Sequence, residues 1–129
     1  MYKEIIISII IIIFITIFDF SIQKYTEKTI DETTESLSQL REDIKNSNKE
    51  EKEILNKINE IYNKWLEYRN KLAFFIEHNE LEKVETNFVA CKSLIESNKY
   101  EFANEELDKT IFVLEHISSK YSFNLENIF

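Results

Sequence analysis

Apolar and polar residues follow two different rules along this chain. From Ile5 to Phe18 there is no alternation: the run Ile-Ile-Ile-Ser-Ile-Ile-Ile-Ile-Ile-Phe-Ile-Thr-Ile-Phe carries no charge. From Lys24 onward apolar residues return at steps of three and four between Glu and Lys, the period of amphipathic helices. A first stripe over 24–46 reads Ile30, Thr33, Leu37, Leu40, Ile44, thin enough for a coiled-coil seam and able to continue straight out of the apolar block. A second segment, 50–77, carries Leu55, Ile58, Tyr62, Trp65, Leu72 and Ile76, with Ile54, Ile61, Tyr68 and Phe75 alongside. So wide a face predicts contact with more than one neighbour and a central place for this helix. The third, 80–97, reads Leu81, Val84, Phe88, Cys91, Ile95, and the fourth, 99–117, reads Ala103, Leu107, Ile111, Leu114 with Phe102 and Ile117 beside them.

Ser47-x-x-Glu50, Asn79-x-x-Glu82 and Asn98-x-x-Glu101 stand at the breaks in this periodicity and have the form of capping boxes. Short connections make consecutive helices antiparallel. The expected fold is all-α: an N-terminal transmembrane helix followed by an up-down antiparallel bundle of three to four helices. Residues 1–23 form the anchor and 24–129 the bundle domain. Tyr121, Phe123, Leu125, Ile128 and Phe129 make the tail from Ser118 apolar enough to dock on that bundle.

As a helix, residues 5–18 span about 21 Å, and extension through Ile22 gives about 27 Å, close to the ~30 Å hydrocarbon core. The expected lipid contact is therefore residues 5–22, with Asp19 near one end where headgroup water is in reach. No alanine precedes Ala73, so an A-x-A-like cleavage site is lacking and an uncleaved anchor is expected. Lys3 on one side opposes Lys24 and Lys28 on the other; the four-residue head gives the reading of a signal anchor, with the domain outside the cytoplasm.

Composition removes whole classes of function. The chain has no glycine and no proline, so phosphate-cradling loops and nucleophile elbows, which use glycine at positive φ, lack their backbone. A net charge of −8, with basic residues interleaved among glutamates, argues against nucleic acid as a partner. Cys91 is the single cysteine, and its place on an apolar face predicts a buried, inert thiol.

One constellation carries candidate chemistry. Phe74-Phe75-Ile76-Glu77-His78 and Phe112-Val113-Leu114-Glu115-His116 are near copies and hold the only two histidines. If each closes a helix, both ends lie at one end of the bundle, with Glu80 and Glu82 opening the third helix nearby. His78, His116, Glu80 and Glu115 are then candidate ligands for zinc or iron. The competing reading is plain: a histidine in a last turn complements the helix dipole, and no H-E-x-x-H pattern is present. No metal site is assigned on these residues. Ser93, Ser97 and Ser118 lack an evident base, so no catalytic residue and no cofactor is assigned, and the chain is not expected to be an enzyme.

A central Trp65, then Phe75-Ile76-Glu77-His78-Asn79-Glu80-Leu81, Leu114-Glu115-His116-Ile117, and the ending Asn124-Leu125-Glu126-Asn127-Ile128-Phe129 give the chain a further likeness. It resembles domain of unknown function 4363, a family of small proteins of Gram-positive, often spore-forming, anaerobes. That resemblance implies a bacterial-envelope setting, and a structural network of His78, Glu80, His116 and Asn127 joining the tail to the helix ends. Three functional readings follow: an adaptor or accessory protein binding another envelope protein, a metal- or small-ligand sensor at the His78/His116 end, and a structural protein that self-associates through the Ile30–Ile44 seam.

Overall fold

A computed structural model describes residues 1–46 and 49–121. Among them are four helices and no strand: α1 (Tyr2–Asn46), α2 (Glu51–Leu72), α3 (His78–Glu96) and α4 (Tyr100–Tyr121). The apolar block and the first amphipathic stripe form one unbroken helix of 45 residues, about 67 Å long. Nothing interrupts it, because neither proline nor glycine lies in its path. Its two halves live in different surroundings. Residues 2–21 are exposed throughout, whereas Thr26, Thr29, Ile30, Thr33, Leu37, Leu40 and Ile44 are buried.

The buried half joins the other helices in a square. α1 packs on α2 and α4, α3 packs on the same two, and the backbones of the diagonal pairs stay apart among the described residues. The Ile30–Ile44 stripe is thus consumed inside the chain, and a coiled-coil seam between copies would require the bundle to open. The expected core is observed on α3, where Leu81, Val84, Phe88, Cys91 and Ile95 are all buried. On α4 it is Ala103, Leu107, Leu114 and Ile117, with Ile111 only half-buried. Trp65 is fully buried and stacks on Phe88 at 6.4 Å, while Tyr62 meets the same ring at 5.3 Å.

Four threonines also line the interior. Thr26, Thr29, Thr33 and Thr110 are buried, each donating its hydroxyl to the carbonyl four residues back at 2.7–3.0 Å. A threonine satisfied in this way presents only a small methyl face to its neighbours. An ion pair bridges each adjacent pair of helices: Asp43–Lys57 for α1/α2, Arg41–Asp108 for α1/α4, Arg69–Glu85 for α2/α3 and Glu80–Lys120 for α3/α4.

Three expectations are corrected. The wide face of α2 does serve two neighbours, Tyr68 meeting Tyr25 and Glu32 of α1 while Trp65 meets α3, but α2 is no more central than the others. α2 also stops at Leu72, not 77. Successive bonds from Phe74 N–H to Lys71 and from Phe75 N–H to Leu72 tighten the chain into a turn that buries Ile76. Finally, the capping boxes are not used as such. Asn79 lies inside α3, whose N-cap is Glu77 without a side-chain cap bond, and Ser47 lies outside the described residues.

Asn98 stops a helix where it was expected to start one. It has φ 58°, its N–H donates to the Ile95 carbonyl at 3.0 Å, and Lys99 N–H reaches the Leu94 carbonyl at 2.9 Å. This is the Schellman arrangement, which usually takes glycine at the left-handed position. In a chain without glycine, asparagine is the residue that tolerates it best.

Candidate functional site

Two ends and one face of the bundle have to be distinguished. The base is the end nearest the apolar block, formed by the α2–α3 turn and the end of α4. The far end holds the α3–α4 turn, where the Asn98 amide, turned so that its NH2 faces Glu51, donates at 2.9 Å.

The candidate ligands lie at or near the base, but they are not drawn together. His78 is the first residue of α3 and is exposed, its Nε2 standing 3.9 Å from Glu82 on the same helix. His116 and Glu115 are exposed on α4, where Glu115 lines a shallow hollow with Glu27 and Asp31 of α1. Of the four, Glu80 alone is buried, and its Oε1 accepts from Lys120 Nζ at 2.9 Å. That hydrogen bond holds the Lys120 ammonium above its usual range, with Glu77 adding to the field. Among the described residues no three His, Cys, Asp or Glu side chains are arranged to hold a metal.

The near-copy motifs therefore diverge in structure. Phe74–Glu77 is a turn leading into α3, whereas Phe112–His116 lies within α4. Glu80 Oε2 has no hydrogen-bond partner among the described residues, and Asn127 of the expected network lies outside them, as does the apolar ending of the tail. α4 itself runs on to Tyr121, whose hydroxyl accepts from Glu77 N–H at 3.1 Å. Tyr121 thereby satisfies the N–H of Glu77, the residue that precedes α3.

Sequence reasoning does not single out Lys120, and it places Tyr121 in the apolar tail and Phe74 and Phe75 in the repeated motif without giving them a part in a site. The signal for Phe74 was available: it is apolar yet falls off the stripe of α2, and it is 82 % exposed.

Within the bundle and away from its base, the large exposed apolar side chains among the described residues are Val89, Phe102 and Phe112, all on α3 and α4. Phe102 and Phe112 share one helical face with Lys109. Beside them runs an open groove of about 930 Å³ between the two helices, walled by Thr86 and Asn87 on α3 and by Phe112 and Val113 on α4, with Glu82, Lys83, Asp108 and Lys109 at its edges. Cys91 is no part of this surface. Its Sγ lies 3.7 Å from the Ala103 carbonyl in the α3/α4 core, and burial, with Glu106 nearby, pushes the thiol up to about 12.

The apolar half of α1 is long and apolar enough to cross a membrane. No curated protein and no solved structure shows a significant match to the chain. The family model described as domain of unknown function (DUF4363) matches residues 20–128, which begins just after the apolar block and takes in the whole bundle. The chain belongs to that family.

Proposed function

We propose that the protein is a membrane-anchored adaptor. The apolar half of α1 holds it in the bacterial cytoplasmic membrane, and a non-catalytic bundle outside the cytoplasm binds another envelope protein. The single observation that carries this is the continuity of α1. One helix presents an uncharged, isoleucine-rich and exposed surface over residues 5–18 and core side chains over its second half. A rigid join of this kind transmits the position of the membrane to the bundle without a flexible linker.

The partner surface in this reading is the α3/α4 groove, because Phe112, which is exposed, and Val113 line it beside Glu82, Lys83, Asp108 and Lys109, and Val89 and Phe102 are exposed on the same two helices. An apolar centre inside a polar rim is the anatomy of a protein-binding patch. The fitting occupant is an apolar-faced helix of the partner laid along the groove.

A photo-crosslinking residue at Phe112 tests this in intact membranes, with the same residue at Glu53 on α2 as the control. The expected result is one dominant adduct with a different protein, specific to position 112, whose yield falls when Phe102→Asp is added. Only self-adducts, or equal yields at both positions, would overturn the adaptor assignment.

A further inference from the structure

We infer that the α2–α3 turn is a second lipid contact, with Phe74 and Phe75 seated in the bilayer interface beside α1 so that the bundle stands on the membrane by its base. This rests on the anchored reading above and adds a lipid-binding site in a separate part of the chain.

Phe75 meets Phe18, the last residue of the apolar block, edge to face at 6.2 Å. Phe74 is 82 % exposed, and Phe20 is exposed on the same stretch of α1. Phe18, Ile22, Tyr25, Lys71, Phe74 and Phe75 line a hollow that is almost wholly apolar yet open to the surroundings. Such a cluster is out of place in water and ordinary at a membrane boundary, where aromatic rings concentrate.

Height supports the same placement. The strictly apolar stretch 5–18 covers only about 21 Å of a ~30 Å core, so the lipid on the bundle side has to meet further apolar surface or thin around the helix. The turn supplies that surface at the level of the shortfall. Asp19, the charge that interrupts the block, lines a hollow with Phe75, Ile76 and Tyr121, so the base of the bundle shelters it from lipid on one side. Lys71 crosses the Tyr25 ring at 5.6 Å, close enough to the boundary for its ammonium to reach lipid phosphate.

Nitroxide labels on the full-length chain, reconstituted in phosphatidylcholine–phosphatidylglycerol vesicles, provide the test. Labels go at Phe74→Cys, at Ile12→Cys within the apolar block and at Glu53→Cys near the far end; Cys91 is fully buried and stays unlabelled. Phe74 fills no core space, so its substitution leaves the bundle intact. The expected result is a ratio of oxygen to water-soluble nickel-complex collisions several-fold higher at positions 74 and 12 than at 53. A water-like ratio at 74 with a lipid-like ratio at 12 would overturn the turn contact and leave the anchor standing. A water-like ratio at 12 would overturn both. Dipolar broadening between labels at 74 would assign the surface to a second copy of the chain and likewise overturn the lipid contact.

Discussion

Replacing Trp65 separates packing from polarity in the bundle core. The side chain is fully buried and stacked on Phe88, so Trp65→Ala leaves a large hole among rings that cannot all close in. Truncations of this kind cost about 3–5 kcal/mol. In a bundle of this size each kcal/mol lowers the melting midpoint by about 4–8 °C, so the alanine variant is expected to melt ~12 °C lower or more. Trp65→Phe behaves differently. The indole N–H has no acceptor among the described residues, and such a buried donor carries a penalty of about 1–3 kcal/mol. Phenylalanine removes that penalty while keeping most of the ring contact with Phe88, so the net loss is about 1 kcal/mol, well below that of alanine. The assay is urea unfolding of the full-length chain in detergent micelles, followed by far-ultraviolet circular dichroism. Equal losses for Phe and Ala would refute the reasoning, because they would mean that neither the retained ring contact with Phe88 nor relief of the unpaired indole N–H offsets the substitution.

The other predictions concern single groups. Asn98→Gly is expected to leave stability within about 0.5 kcal/mol of the parent, and Asn98→Val to cost about 1–2 kcal/mol, since a branched side chain resists positive φ; equal midpoints in urea would show that the left-handed turn is not required. The Cys91 thiol is pushed up to about 12, above its unfolded range, so the unfolded chain releases its proton first and stability falls as pH rises from about 9 toward 12. Tyr68 and Tyr100, raised chiefly by burial, act in the same direction. Cys91→Ala is expected to flatten part of that slope in melts across the alkaline range, and an unchanged slope would contradict it. Lys120→Met is expected to lower the midpoint more than Lys83→Met at an exposed site, because Glu80 loses its partner, and Glu80→Gln added to Lys120→Met is expected to recover part of the loss. Strict additivity of the two changes would show that the pair is uncoupled.

Much of the fold was legible because helical periodicity is a local property. The buried sets on α3 and in the second half of α1 are the stripes read from spacing alone, and the join between the apolar block and the first stripe follows from the absence of any breaker. The readings that failed concern the ends of helices. A capping box and a Schellman stop both place asparagine near a helix boundary, and only backbone geometry tells them apart at Asn98. Thr26, Thr29 and Thr110 were missed because a threonine becomes a core residue only when its hydroxyl finds the carbonyl one turn back.

The candidate site shows the same division more sharply. The repeated Phe-x-x-Glu-His pattern suggested equivalent helix ends, yet one copy is a turn and the other a helix interior, since Ile76 has to enter the core and Tyr121 meets the start of α3. By itself the sequence determined the apolar block, the amphipathic stripes and the lack of any breaker between the block and the first stripe, all of which act over one or two turns of chain. Only the tertiary structure decided that Lys120 sits on Glu80, that the α2–α3 turn lies against Phe18, and that the bundle's exposed apolar residues away from its base gather on α3 and α4. Those are contacts across tens of residues, set by the register in which four helices pack, and no local pattern encodes that register.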